Sequence, residues 1–266
     1  LVNVIKMITD IKQQNLNINI DPIKSKLMSV GGRNFIHRLQ NGKPVCDYNP
    51  FGTITGRLTT MPNTFPILTL NKDFRGCLHP TQDWFLELDY NAAEIRTLLA
   101  LTGIAQPRGD IHEWNRKHVY REQVTREEAK KRIFAWLYNP KSDDHLSNRA
   151  YDKELVKNKY WDGQNIVTEF DREIKDVDNH HALNYIIQST TSDLVLSKAL
   201  EIHEHLEDME SRIAFMMHDS IVIDLKNSER SAIIKLLQIF GNTRFGKYKV
   251  NLSLGKNFGD MKRVSL

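Results

Sequence analysis

Two acids in this chain sit where apolar runs end. In FLELDYNAAEIRTLLAL, residues 85–101, an apolar stretch finishes at Asp89, and a leucine-striped stretch carrying Glu94 and Arg96 follows. In MMHDSIVI, Asp219 occupies the turn between two apolar runs. Taken singly, Asp219 reads as hairpin-turn chemistry and Asp89 as a cap for the following helix. Taken together, two strands each deliver one carboxylate to the edge of an apolar sheet. Adjacent carboxylates repel, so they take up protons or demand a cation. Paired carboxylates sharing hard divalent cations suit phosphoryl transfer, with one ion at the attacking oxygen and one at the leaving group.

A second chemical pattern lies in VTREEAKKRIFAWLYNP, residues 124–140. Thr125 and Glu128 form a capping-box pattern that predicts a helix start, and Pro140 predicts its end. Arg126, Lys130, Phe134 and Tyr138 recur every fourth residue and share one face. An ordinary amphipathic helix fits poorly, because this stripe is half cation and half aromatic. Arg126 and Lys130 repel each other by ~0.2–0.5 kcal/mol. A triphosphate along the basic end relieves that repulsion, and a base stacked on the aromatic end suits Phe134 and Tyr138. Upstream, GDIHEWN offers His112 as another phosphate donor, although a lone histidine is weak grounds for a site. In NYIIQ, Asn184 and Gln188 lie one helical turn apart. They read either as satisfied amides at a helix contact or as donors to the minor groove, whose acceptors are shared by all base pairs. Arg57 in TGRL can join them in the second reading.

These residues need strands and helices to hold them. Residues 84–89 read as a strand and 92–102 as a helix. Residues 110–120 and 125–138 read as helices, 182–206 as a long helix, and 212–225 as strand, tight turn, strand. A helix near 228–240 and a final strand region follow. Residues 1–30 read as helical, then loop-like around Asp21-Pro22. Asn41-Gly42 between two strand-capable runs predicts a hairpin. Residues 53–68 read as irregular chain, and 139–180 as polar and poorly patterned. Strands interleaved with long helices predict an α+β or mixed α/β fold. The 266 residues, 40% hydrophobic and 26% charged, suffice for a sizeable core. The formal charge of +4 allows a polyanionic partner without demonstrating one. Cys46 and Cys77 have no metal-ligand spacing and read as reduced cytosolic thiols. No apolar run approaches the ~20 residues needed to span a bilayer, which predicts no membrane partner.

In order along the chain, these motifs resemble those of the family A DNA polymerases, the bacterial polymerase I and phage replicase type. LDYNAAEIR is similar to the family's first palm motif at Asp89, Tyr90, Glu94 and Arg96. The stripe Arg126, Lys130, Phe134, Tyr138 is similar to its fingers helix. MMHDSIVI is similar to its third motif at His218 and Asp219. TGRLTT, DIH, the Asn184/Gln188 helix and the terminal GKNF follow the same order. The resemblance runs from about residue 33 to the end. It implies an α+β polymerase palm, with an antiparallel sheet backed by helices, plus helical fingers and with the thumb largely absent. The expected division is residual thumb or linker over 1–32, palm over 33–103, fingers over 104–180 and palm again over 181–266.

By the same resemblance, Asp89 and Asp219 bind two Mg²⁺ ions with the backbone carbonyl of Tyr90, Mn²⁺ being a possible substitute. A primer 3′-oxygen attacks the α-phosphate of a dNTP and pyrophosphate leaves. His112, Arg126 and Lys130 take the triphosphate, and Lys130 can protonate the leaving group. Phe134 stacks on the incoming nucleotide, and a Phe there implies discrimination against dideoxynucleotides. Glu94 packs beneath the sugar, excludes a 2′-hydroxyl and hydrogen-bonds Tyr138. Arg96 braces the site. Arg57, Asn184, Gln188 and His218 touch primer–template DNA. The implied setting is cytoplasmic, in a bacterial or phage-infected host cell, at DNA. The competing readings are a single-subunit RNA polymerase-like enzyme, a non-catalytic DNA-binding or scaffold remnant, and a metal-dependent nuclease. Glu94 and Phe134 argue against the first. Both acids and the full fingers stripe argue against the second, and the triphosphate-shaped stripe against the third.

The chain also departs from the pattern. Ser220 stands where the family usually has Glu, Asn139-Pro140 where it has Gly, and His180 where Arg is common. The interval from Tyr138 to Asn184 is short. Exonuclease acids are not evident, so thumb and exonuclease come from a separate chain, from a missing N-terminal segment, or from nowhere.

Overall fold

The structure, a computed structural model, describes residues 2–139 and 142–265. In chain order its main elements are α1 (Val2–Lys12), α2 (Val30–Asn41), the short strands β1 (Tyr48–Asn49) and β2 (Thr59–Thr60), β3 (Trp84–Tyr90), α3 (Ala93–Leu101), α4 (Ile111–Trp114), α5 (Arg126–Tyr138), α6 (His145–Ala150), α7 (Lys153–Tyr160), α8 (Asn179–His205), β4 (Arg212–Met217), β5 (Ser220–Leu225), α9 (Ile233–Gly241), β6 (Val250–Gly255) and β7 (Lys262–Val264). The class is α+β. Among the described residues, no helix is long and apolar enough to cross a membrane.

The chain divides into two compact units. The first holds the chain up to Asp89, Val195–Phe240, and the chain from Val250 onward. Its centre is a five-stranded sheet in the order β7-β6-β3-β5-β4. β3 runs antiparallel to β5, β5 to β4 and β6 to β7. β4 and β5 are buried along nearly their whole lengths, which explains their unbroken apolar runs. Phe85, Phe215 and Phe258 meet edge to face at centroid distances of 5.5, 6.5 and 5.0 Å. The Tyr48 hydroxyl donates to the Met216 carbonyl at 2.6 Å and accepts from its amide at 2.8 Å, fixing β1 to β4. α1 buries Met7, Ile8 and Ile11.

The second unit holds Tyr90–Leu194 and Gly241–Lys249. Its core gathers Leu98 and Leu99 of α3, Ile111 of α4, Ile133 and Trp136 of α5, Val156 of α7 and Ile186 of α8, all essentially unexposed. α5 begins at Thr125, where both halves of the capping box form: Thr125 accepts from the Glu128 amide and Glu128 from the Thr125 amide. Asn139 closes the helix through its amide to the Ala135 carbonyl. Pro140, expected to end α5, lies outside the described residues.

Several expected elements take another form. Asn41-Gly42 makes no hairpin: it ends α2, which Ser29 caps by accepting from the Gly32 amide at 2.9 Å and which buries Phe35. An Asn-Gly pair terminates helices as readily as it turns strands, and here tertiary burial of the helix face decides. The loop expected at Asp21-Pro22 is a 3₁₀ helix, with Pro at its start. The helix expected over 110–120 is one α turn followed by a π-helical stretch at Asn115–Val119. There the buried Asn115 accepts from the Tyr151 hydroxyl at 2.6 Å. The poorly patterned 139–180 region contains α6, α7 and a short pairing of Ile166–Val167 with Glu173–Ile174.

Candidate active site

In the first unit, the antiparallel register pairs Asp89 with Ser220 across β3 and β5. Asp219 directly precedes Ser220 in the two-residue turn after β4, so both carboxylates stand at one end of the strand pair. The turn needs a left-handed residue, and His218 provides it with φ 54°. Both acids are half-buried. Burial, and then the negative charge of Asp219, push the Asp89 carboxyl up to about 7. The Asn251 amide donates to Asp89 Oδ2 at 3.1 Å and works the other way. Arg263 in turn donates to Asn251. Two carboxylates that repel in a half-buried site fit a hard divalent cation. Mg²⁺ is usually held by one or two carboxylates together with substrate phosphates. Among the described residues no group of three or more His, Cys, Asp or Glu gathers to hold a metal ion.

In the second unit, α5 buries Ala129, Ile133, Trp136 and Leu137, which turns Arg126, Lys130, Phe134 and Tyr138 onto an adjoining, more open face. Phe134 and Tyr138 stack with nearly parallel rings, 5.9 Å apart. The Tyr138 hydroxyl donates to Glu94 of α3. Lys130 is exposed. At the basic end, the Arg126 guanidinium donates to Asp110 Oδ2 at 2.7 Å and pairs with Glu127. His112 packs its ring against Phe134 at 5.6 Å. It is only 3% exposed, and its Nδ1 has no hydrogen-bond partner. Burial pushes its pKa down to about 4, against the pull of Asp110, so the ring is neutral near pH 7.

Arg96 is fully buried. It donates to the Asn91 carbonyl and Oδ1, to Gln106, and to the carbonyls of Pro107 and Gly109 at 2.6–3.4 Å. Burial lowers its pKa to about 10, so it stays charged. It thereby ties α3 to the loop that leads into α4. The Tyr90 ring is buried and meets Tyr248 edge to face at 5.3 Å. Asn184 and Gln188 are half-buried on one face of α8 in the second unit. Asn184 lines a groove with Lys153, Lys157 and His180. Arg57 is exposed in the loop between β1 and β2, and His218 is exposed in its turn, both in the first unit.

Four further residues bear on these sites. Asp110 and Asn91 surround the basic end of the α5 stripe. Asn251 and Glu87 flank Asp89, Glu87 sharing its strand face two residues back. Asp110 was legible as a helix cap, since Asp110 and Glu113 bracket the first turn of α4. Asn251 reaches Asp89 only through the pairing order of the sheet and has no local signal.

No protein-family model matches the chain. DNA polymerase I of Borreliella burgdorferi is 24% identical over 125 residues, which cover 45% of this chain and 12% of that protein. Among solved structures, the POL domain of Pol1 from M. smegmatis, in complex with DNA primer-template and dNTP, superposes with a TM-score of 0.67 at 16% identity. That match covers 91% of this chain and 56% of the M. smegmatis chain, so this chain spans little more than half of the structure it resembles. The chain therefore has the fold of that POL domain.

Proposed function

We propose that the chain carries out template-directed DNA synthesis, joining a dNTP to a primer 3′-hydroxyl with release of pyrophosphate. The observation that carries this reading is the α5 stripe, which runs from cations to stacked aromatics and meets a sugar-sized acid, Glu94, at its aromatic end. The similarity in fold to a polymerase domain complexed with primer-template and dNTP supports it.

In this reading Asp89 and Asp219, with the Tyr90 carbonyl, hold divalent cations, Mg²⁺ or Mn²⁺. When bound, such ions lower the pKa of the attacking hydroxyl and neutralise charge on the phosphates. Asp89 must lose its proton to serve, and a bound cation favours that loss. Arg126 and Lys130 attract the triphosphate, with Lys130 placed to donate a proton to the leaving group. His112 contributes a neutral N–H donor rather than a positive charge. Phe134 stacks on the nucleotide. Glu94, fixed by Tyr138, occupies the space a 2′-hydroxyl needs. Arg57, Asn184, Gln188 and His218 contact primer and template without reading sequence. Catalysis then rests on positioning and charge rather than on a covalent intermediate.

The test is extension of a labelled primer on a DNA template with Mg²⁺ and either dNTPs or NTPs, alongside Asp219→Ala. Extension with dNTPs only, lost in the variant, supports the reading. Extension that survives Asp219→Ala refutes it.

A further inference from the structure

The stripe on α5 has a support that its own sequence does not show. Asp110 divides its two oxygens between separate tasks. Oδ1 accepts from the Glu113 amide at 2.9 Å and caps α4. Oδ2 accepts from Arg126 at 2.7 Å and from the Asn91 side-chain amide at 3.1 Å. Asn91 is itself held: its Oδ1 accepts from the Ile111 amide at 2.8 Å and from the fully buried Arg96 at 3.1 Å. A chain of hydrogen bonds therefore runs Arg96, Asn91, Asp110, Arg126, and every link lies inside the second unit.

Arginine has a long side chain with many rotamers, and holding one before a ligand arrives lowers the entropy lost on binding. Arg126 has two carboxylate neighbours of different character. Glu127 is 67% exposed and adjacent in sequence, so a phosphate can displace it. The Asp110 side chain is 25% exposed and anchored from three directions. A guanidinium carries five N–H donors, so a bond to Asp110 leaves donors for a phosphate. Although burial works the other way, the Arg126 pair and the Glu113 amide hold the Asp110 carboxyl down to about 2, so it is charged at any working pH.

We propose that Asp110 is the positioning residue of Arg126, aiming its guanidinium at the triphosphate of the incoming nucleotide, and that Asn91 fixes the Asp110 carboxylate for that task. This rests on the reading of Arg126 as a triphosphate ligand. The opposite arrangement has a distinct signature: a carboxylate that merely competes with phosphate weakens nucleotide binding, and removing its charge tightens it.

The experiment measures KM for dNTP and kcat in primer extension for the wild type, Asp110→Asn, Arg126→Ala and the double variant. Asparagine still caps a helix, so Asp110→Asn keeps the start of α4, and Asp110→Ser is a second capping variant should the first melt early. Asp110→Asn is expected to raise KM about tenfold, the loss of one charge-assisted hydrogen bond, with a smaller change in kcat. The double variant is expected to match Arg126→Ala alone, because Asp110 acts through Arg126. A KM that falls or stays unchanged in Asp110→Asn overturns the proposal. So does an additive loss in the double variant, which marks a purely structural role. An Arg126→Ala protein with unchanged KM, or a wild type that does not extend primers, overturns the triphosphate reading itself and the proposal with it.

Discussion

The Tyr138 hydroxyl donates to the Glu94 carboxylate, joining the last turn of α5 to the first turn of α3. This contact fixes the one acid on the aromatic end of the stripe. In the proposed reading, Glu94→Ala removes the side chain that fills the space beneath the sugar. The variant is expected to incorporate ribonucleotides at least about tenfold more readily than wild type, the scale of discrimination from one pocket contact. Competition between dNTP and NTP on one template measures it, and an unchanged ratio removes Glu94 from sugar selection.

Phe134 stacks on Tyr138 and touches His112, so its ring plane is set from both sides. Phe134→Tyr adds one hydroxyl to that plane. Dideoxynucleotide incorporation is expected to rise by about tenfold or more with little change in fold stability. A chain-termination ladder reads the result, and a ladder identical to wild type shows that the ring faces another part of the nucleotide.

Asp89 and Asp219 stand at one end of the strand pair. Asp89→Ala is expected to reduce Mg²⁺-dependent extension by about 10³-fold or more. Chelation of divalent ions by EDTA should stop wild-type extension, and Mn²⁺ should restore it. Full extension by either Asp→Ala variant in Mg²⁺ contradicts the metal assignment.

His112 gives a pH dependence with a definite sign. Its ordinary pKa of 6.5 falls to about 4 in the fold, so between these values the unfolded chain takes a proton that the folded chain refuses. Stability from this group is complete above pH 6.5 and is lost as pH falls towards 4. The contribution is at most about 3 kcal/mol, from the size of the shift. His112→Phe should flatten the dependence of urea midpoint on pH across this window, and an unaltered slope shows that other groups set it.

The buried Arg96 donates to five acceptors, two on Asn91 and three in the loop before α4. Arg96→Ala leaves those acceptors without it and is expected to cost about 3 kcal/mol or more. Arg96→Lys retains the charge but not the planar fork and should recover only part of the loss. Urea unfolding of the three proteins checks the order.

The local rules were legible in the residues. The Thr125–Glu128 capping box, the fourfold spacing of Arg126 to Tyr138 and the two-residue turn at His218-Asp219 depend on neighbours within a few positions, so their geometry follows from the chain alone. Asn41-Gly42 was also local but ambiguous, and the burial of Phe35 turned a hairpin signal into a helix end. What the chain could not display were contacts between distant segments. Asn251 reaches Asp89 because β6 lies beside β3, and Asn91 grips Asp110 across nineteen residues. The unsuspected neutrality of His112 has the same origin, since a pKa is set by desolvation and charge in three dimensions. Residue type and spacing determined which groups are available for chemistry, while packing decided which of them are buried, paired, charged and aimed.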